Sequence, residues 1–153
     1  MANNKIKKQR ERLKHFALKK LGTPYKYGVK KSEIGKFFDC SSFTQYLYKR
    51  IGIDIPRSTI LQASCGRVIA HRQHKQKFQE KDLKIGDLLF FKGAKGHFTQ
   101  EFPNGIGHVI MYLGNSQFIH AGGNGGKPKI KLEEPQKVIS RPDLQVTKRI
   151  LKD

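Results

Sequence analysis

The spacing of apolar residues changes at Gly86-Asp87, and no other feature of the sequence constrains the fold as strongly. Before this point apolar residues recur at helical spacing, and after it they form the short runs that are typical of strands. Helices that precede strands along a chain indicate an α+β domain rather than alternating units. The fold class that we predict is therefore α+β, with N-terminal helices packed on a small antiparallel β-sheet.

The N-terminal segment, residues 1–21, contains the pattern of a basic amphipathic helix that begins at Lys5. Its apolar face holds Leu13, Phe16, Ala17 and Leu21. Such a helix can lie on a membrane surface, but packing on the domain's own core is the favoured interpretation. With 153 residues the chain has the length of one domain. We therefore assign residues 22–153 to a single domain of which the first helix is a part.

Two further helical stretches and a polar segment precede the strands. A helix is predicted from Ser41 to Gly52, because four apolar residues within it share helical spacing. Those residues are Phe43, Tyr46, Leu47 and Ile51. A second helical stretch runs from Pro56 toward Gly66, and residues 71–82 are polar enough to predict an exposed loop or a short helix.

The strand-forming half contains a candidate hairpin. Residues 108–113 and 117–121 flank Gly114-Asn115, a pair that favours a turn. Further strands are predicted at 88–91, 130–132 and 146–151. Together they predict one small antiparallel sheet.

The net charge of +19, from 31 basic and 12 acidic residues, favours anionic partners. These include nucleic acid, anionic lipid headgroups and acidic wall polymers, although high charge can also serve solubility alone. No zinc-finger, RNP-like or helix-turn-helix signature accompanies the charge, so we do not predict specific nucleic-acid binding. No apolar run is long enough to span a membrane. The first twenty residues lack the apolar core of a signal peptide, so we expect either that the protein is not exported by that route or that a leader has been removed.

Two cysteines, Cys40 and Cys65, are too few for a disulfide scaffold and lack metal-ligand spacing. A Cys40–Cys65 bridge remains an alternative, but we expect Cys65 to be a small buried helical residue. His71 and His74 lie one helical turn apart without a third ligand, so no metal site is predicted.

Cys40 lies between an aspartate and a serine pair, where the second helix is expected to begin. The unpaired N–H groups and the positive dipole end of a helix lower the pKa of a thiol there and favour the nucleophilic thiolate. A buried structural cysteine at a helix start is the alternative.

A cysteine nucleophile needs a neighbouring imidazole whose tautomer is fixed by a third polar group. His108 begins one hairpin strand and His120 lies near the end of the next. If Tyr112 pairs with Ser116 across a three-residue loop, the two histidines lie directly opposite on one face. If a two-residue turn pairs Leu113 with Ser116, they project to opposite faces. The glycine and asparagine at the turn suit the longer loop, but spacing alone leaves both registers open.

Five segments of the chain, in order, resemble motifs of the NlpC/P60 family of cell-wall cysteine peptidases. They are GTPYKYG (22–28), FDCSSFTQYLY (38–48), IPRSTILQ (55–62), LKIGDLLFF (83–91) and GHVIMYLGNSQFIHA (107–121). The resemblance extends from about Leu13 to Leu151, which is nearly the whole chain. It identifies residues 22–153 as one catalytic domain with a papain-like fold.

The resemblance implies an active site and a reaction. It assigns the nucleophile to Cys40, the base to His108 and the residue that orients the base to His120, which favours the register with both histidines on one face. The implied reaction is hydrolysis of amide bonds in peptidoglycan stem peptides, typically between D-glutamate and the following diamino acid. No metal or organic cofactor is implied.

The resemblance also implies a set of residues around the thiol. Tyr25 is expected to shape the oxyanion or substrate site. Asp39 and Ser41 are expected to hold the substrate's amino group, with helix capping as the alternative for both. Arg57 and Ser58 are expected either to contact substrate or to support the site structurally.

The sequence departs from the family pattern in four places, one of which is Gly28-Val29, where the family usually has two glycines. Ser42, which we count among the candidate substrate-binding residues, replaces the usual glycine and is expected to narrow or reshape the pocket. Residues 67–82 and 92–106 are longer than is common, and the second segment carries His97 and leads to His108. We therefore expect the second segment to cover or gate the cleft.

The function that we predict is a monomeric peptidoglycan endopeptidase, held on an anionic wall or membrane surface by its charge. We expect it in the cell envelope, periplasmic or extracellular, if a leader has been removed. Two alternatives remain open. One is a related Cys-His amidase or acyltransferase, or a delivered effector, that acts on lipids or proteins. The other is a basic polyanion-binding protein whose former catalytic site is inactive.

Overall fold

The computed structural model describes residues 2–93, 98–123 and 126–152. Within these ranges three α-helices precede or flank a six-stranded antiparallel sheet with strand order β1-β6-β2-β3-β4-β5. The helices are α1 (Ala2–Lys19), α2 (Cys40–Arg50) and α3 (Thr59–Gln62). The strands are β1 (Arg67–His71), β2 (Leu88–Phe91), β3 (His108–Tyr112), β4 (Phe118–Gly122), β5 (Lys129–Glu133) and β6 (Leu144–Arg149). The predicted α+β class with helices on an antiparallel sheet is confirmed.

Helix α1 packs on the domain's own core, as its apolar stripe favoured. Leu13 and Ala17 are fully buried, and Phe16 packs at the edge of the same core. Leu21, which the pattern placed on the same face, lies beyond the helix end and is 43% exposed. Among the described residues, no helix combines the length and apolarity that a membrane crossing needs.

Helix α2 lies against strands β3 and β4 and carries the thiol at its first residue. Its inward face buries Phe43, Leu47 and Tyr48, and Gly52 follows its end with a φ of 82°. A left-handed residue after a helix is a position where glycine is favoured. The packing of α2 on the sheet therefore sets where Cys40 lies relative to β3.

Helix α3 is shorter than the predicted stretch from Pro56 to Gly66. It covers only Thr59–Gln62, and Cys65 lies beyond it, partly exposed. The prediction of Cys65 as a buried helical residue is wrong, because the chain turns toward β1 before reaching it.

Strand β1 is the element that the sequence did not indicate. Residues 67–71 pair antiparallel with β6, with an irregularity between Val68 and Ala70. His71, the last residue of β1, is buried, and its ring stacks on the rings of His74 and Phe102. We expected residues 71–82 to be exposed, and for His71 this prediction is wrong.

The hairpin of β3 and β4 differs from both registers considered above. Tyr112 pairs with Phe118, and the Leu113 N–H donates to the Gln117 carbonyl at 2.8 Å. The loop therefore has three residues, all with positive φ: Gly114, Asn115 and Ser116. Compared with the predicted three-residue loop, the register is shifted by two residues. An even shift keeps His108 and His120 on one face, but places them diagonally rather than directly opposite.

Both faces of the central sheet are covered. One face packs against the helices, and the other packs on a second cluster that includes Phe91, Ile110 and Val138. Successive side chains of a strand point to opposite faces. This explains why all four residues of β2 are fully buried.

Candidate active site

A cavity of about 370 Å³ lies between the start of α2, the segment before α3 and the start of β3. Seven of the predicted site residues line it: Tyr25, Asp39, Cys40, Ser41, Arg57, Ser58 and His108. Three segments that are distant in sequence therefore meet at one opening.

Cys40 lines this cavity and is 9% exposed. Its Sγ is 3.6 Å from the Thr59 hydroxyl and 4.0 Å from the Gly107 carbonyl oxygen. Burial raises the pKa of the Cys40 thiol, the Thr59 hydroxyl lowers it, and the Asp39 carboxylate raises it. The predicted lowering of this pKa by the helix start is wrong, because loss of hydration outweighs the favourable N–H groups.

His108 is the first residue of β3 and lines the same cavity. Loss of water around the ring lowers the pKa of His108 to about 3, and the neighbouring His120 contributes in the same direction. The imidazole is therefore neutral near pH 7. A neutral imidazole that lines the same cavity as a protonated thiol is available as a base.

His108 and His120 form a direct pair. The His108 Nε2 lies 2.8 Å from the His120 Nδ1, and the rings meet edge to face with centroids 5.0 Å apart. Burial lowers the pKa of His120, opposed by the Glu133 carboxylate. The structure thus brings together the three residues for which the sequence predicted catalytic roles.

Glu133, at the end of β5, is a site residue that the sequence analysis missed. Its Oε1 lies 3.3 Å from the His120 Nε2 and 2.9 Å from the Lys131 Nζ. No local sequence signal marks it, because its contact with His120 depends on how β4 pairs with β5. Thr59 was also missed, although it lies within the quoted motif of residues 55–62.

Asp39 both caps α2 and faces the cavity. Its Oδ1 accepts the Ser42 N–H at 2.8 Å, and its Oδ2 accepts from the Arg57 guanidinium at 2.6 Å. Although burial alone would raise the pKa of Asp39, the Arg57 guanidinium and the Ser42 N–H hold it below its usual value. Asp39 can therefore cap α2 and face the cavity at the same time.

Arg57 connects the loop before α3 to the start of α2. Besides Asp39, it donates to the Ser41 hydroxyl at 2.8 Å and to the Val29 carbonyl at 3.2 Å. Ser58 caps α3 by accepting the Leu61 N–H. These contacts show structural roles for Arg57 and Ser58.

Tyr25 and Ser42 differ in their relation to the cavity. Tyr25 lines it, and burial raises the pKa of the Tyr25 phenol, with Cys40 and Asp39 adding to the rise. Ser42 is 1% exposed, and its hydroxyl accepts the Asp39 N–H at 2.9 Å. Ser42 borders a separate cavity of about 670 Å³, so the structure does not bring it to the thiol side.

The segment between β2 and β3 contributes one wall of the thiol cavity through Gly93, Ile106 and Gly107. Gly93 and Gly107 approach so closely that a Cβ on Gly107 would lie 2.5 Å from the Cα of Gly93. Phe102 and Ile106 are buried, which anchors the described part of the segment. His97, to which the gating prediction partly referred, lies outside the described residues.

A metal site needs several ligands close together, and the structure describes residues 2–93, 98–123 and 126–152. No group of three or more His, Cys, Asp or Glu side chains there could hold an ion. The His71 and His74 rings stack on each other with centroids 4.7 Å apart. The two cysteines are both free thiols.

Comparison with known proteins gives sequence relatives over most of the chain. The family model described as NlpC/P60 family matches residues 22–145. A probable endopeptidase p60 of Listeria welshimeri is 37% identical over 112 residues, covering 72% of this chain and 17% of that protein. The bifunctional muramidase/DL-endopeptidase CwlT of Bacillus subtilis is 35% identical over 111 residues, covering 71% of this chain and 28% of that protein. The chain thus spans less than a third of the length of these two relatives.

Among solved structures, the NlpC/p60 domain of the peptidoglycan hydrolase SagA is similar to this chain with a TM-score of 0.64 and 30% identity. The match covers 92% of this chain and 97% of that domain. The similarity therefore includes the helices and the sheet that form the cavity.

Proposed function

Because the chain belongs to the NlpC/P60 family, we propose that it is a cysteine endopeptidase that hydrolyses amide bonds in peptidoglycan stem peptides. The observation that carries this proposal is the placement of Cys40 and His108 at one cavity, with His120 bonded to His108 at 2.8 Å. A thiol, a base and a group that orients the base are the minimum set for nucleophilic amide hydrolysis.

In the proposed mechanism, the thiol loses its proton only as it attacks. The His108 Nδ1 accepts the Cys40 proton while Sγ bonds to the carbonyl carbon of the substrate. The C–N bond then breaks, and the His108 imidazolium gives its proton to the leaving amine. A water molecule, deprotonated by the same imidazole, attacks the thioester and releases the acid and the free thiol.

The negative oxygen of the tetrahedral intermediate needs donors that are already in place. Cys40 is the first residue of α2, and N–H groups in a first helical turn have no partner within the helix. We assign its N–H as one donor and the hydroxyl of Tyr25, a residue that lines the same cavity, as a second group for oxyanion or substrate contact.

The scissile bond that we propose joins D-glutamate to the following diamino acid. The motif resemblance supports this choice, and the relative from Bacillus subtilis is described as a DL-endopeptidase. Asp39, Ser41 and Arg57 form a connected polar wall that suits the charged ends of a stem peptide. The neighbouring Ser58 lines the same opening.

The charge of +19 supports a location at the cell envelope. An anionic wall polymer or membrane surface would concentrate such a protein without a specific binding pocket. The proposed partners are therefore peptidoglycan peptides for the cavity and polyanions for the surface.

The test is digestion of purified peptidoglycan and of soluble stem peptides, read by mass spectrometry. The proposal predicts new D-glutamyl products with the wild type and none with Cys40→Ala. Cleavage of lipid or protein substrates instead would favour an amidase or acyltransferase of the same fold. If no substrate gives products, the result would support the alternative of a polyanion-binding protein whose catalytic site is inactive.

A further inference from the structure

We propose that Glu133 is a positioning residue that fixes the tautomers of His120 and His108, so that the His108 Nδ1 lone pair is available to Cys40. This inference rests on the peptidase function proposed above and extends it to the strand beyond the two histidines. It assigns a role to a residue outside the five motifs of the sequence.

The deduction begins at the carboxylate. The pKa of Glu133 lies below its usual value, because the Lys131 and His120 contacts outweigh the effect of burial. An ionised carboxylate can only accept hydrogen bonds. The contact of 3.3 Å between the Glu133 Oε1 and the His120 Nε2 therefore requires the proton on that nitrogen.

The proton on the His120 Nε2 also determines which ring nitrogen of His108 carries a proton. With lowered pKa values, each histidine is neutral near pH 7 and carries one ring proton. If His120 carries its proton on Nε2, its Nδ1 is an acceptor. The 2.8 Å contact then requires the His108 Nε2 to donate, which leaves the His108 Nδ1 without a proton. That nitrogen is the base of the proposed mechanism.

Without the carboxylate, the opposite arrangement becomes available. His120 can carry its proton on Nδ1 and donate it to the His108 Nε2. His108 then holds its proton on Nδ1, where it cannot accept one from the Cys40 thiol. Glu133 thus selects the reactive tautomer from two that satisfy the contact between the rings.

The surroundings hold this arrangement in place. The Lys131 Nζ bonds the same Glu133 oxygen at 2.9 Å, and the Glu133 side chain is only 10% exposed. Gly122 provides space for the His120 ring, since a Cβ there would lie 2.7 Å from the ring Cε1. The negative charge also stabilises the imidazolium that forms on His108 during attack, although Lys131 offsets part of this effect.

The experiment compares Glu133→Ala and Glu133→Gln with Glu134→Gln as a matched control. Glu134 is the neighbouring acidic residue and bonds Gln136 rather than a histidine. Loss of the hydrogen-bond partner of a metal-ligating histidine typically costs about 10- to 100-fold, and we expect an effect of the same order for a catalytic histidine. We expect Glu133→Ala to lower kcat by such a factor with little change in KM. Glu133→Gln keeps an acceptor oxygen without the charge and should fall between Glu133→Ala and wild type, whereas Glu134→Gln should match wild type.

A second readout does not depend on turnover. Nitrogen-15 NMR of the ring nitrogens should show both histidines protonated at Nε2 in the wild type and a mixture of tautomers in Glu133→Ala. Unchanged tautomers together with unchanged kcat in Glu133→Ala would overturn the inference. If Cys40→Ala and His108→Ala retained turnover, the proposed function itself would fail, whatever the tautomers of the two rings.

Discussion

The His108 Nε2 and the His120 Nδ1 lie 2.8 Å apart although the two residues are not directly paired across their strands. The hairpin register places them diagonally on one face, and long or aromatic side chains can span such a diagonal. The contact therefore depends on the three-residue loop that sets the register. A shift by one residue would move His120 to the opposite face.

Replacing Gly122 with alanine should damage the histidine pair while leaving the fold intact. The new Cβ would lie 2.7 Å from the His120 Cε1, so the ring has to move. We expect kcat to fall several-fold with little change in the thermal midpoint. Gly126→Ala is the control, because a Cβ there meets nothing within 4 Å. Equal kcat for the two variants would contradict the proposed role of the ring position.

The Cys40 thiol should react slowly with an alkylating reagent near neutral pH. Burial raises the pKa of Cys40 above its ordinary value of 9.0, so the thiol is protonated there and loses its proton only as pH rises. Peptide-mapped iodoacetamide labelling of Cys40 should accelerate steadily from about pH 6 to about pH 9. A rate that is already at its plateau at acid pH would show a pre-formed thiolate-imidazolium pair and contradict this prediction.

The two roles of Asp39 can be separated by substitution. Asp39→Asn keeps an oxygen that can cap α2 but removes the ion pair with Arg57, whereas Asp39→Ala removes both. Loss of a helix cap typically costs about 1 kcal/mol. Asp39→Ala should therefore be less stable than Asp39→Asn by about that amount in urea unfolding at neutral pH. Equal stability of the two variants would show that the cap contributes nothing.

The ion pair also predicts a pH dependence with a definite sign. The pKa of Asp39 is lower in the folded protein than its ordinary value of 3.8. Its contribution to stability is therefore present above that value and is lost as pH falls through the folded-state pKa. The stability difference between wild type and Asp39→Asn should shrink in acid. A difference that grows in acid would contradict the assigned direction.

Retention on cell walls should depend on salt if the charge of +19 holds the protein there. Raising salt from about 0.01 M to about 1 M shortens the screening length from about 30 Å to about 3 Å. Catalytically inactive Cys40→Ala should bind isolated walls at the lower salt and elute at the higher. Binding that does not change with salt would point to a specific wall-binding site instead.

The elements with strong local signals were predictable from the sequence. The helix α2 shows regular apolar spacing and a capping aspartate, and β2 is an uninterrupted apolar run of four residues. The five motifs pointed to Cys40, His108 and His120, and the family resemblance predicted their roles from the sequence alone. Those roles are proposals that the variants above are designed to test.

The features that were not predictable arise from contacts distant in sequence. Strand β1 forms because residues 67–71 find β6 almost eighty residues away, and strand preference depends strongly on such neighbours. Glu133 meets His120 only through the pairing of β4 with β5. The pKa of Cys40 depends on how deeply the thiol is buried in the folded chain. The position of Cys40 at a helix start does not predict that burial.

The most direct test of the central claim is kcat/KM on a soluble stem peptide for wild type, Cys40→Ala and Cys65→Ala. Cys65 is the matched control, because it is the second free thiol and lies outside the residues that line the cavity. The account predicts a loss of at least about 1000-fold for Cys40→Ala and an unchanged value for Cys65→Ala. Retained activity in Cys40→Ala would show that the thiol at the start of α2 is not the nucleophile.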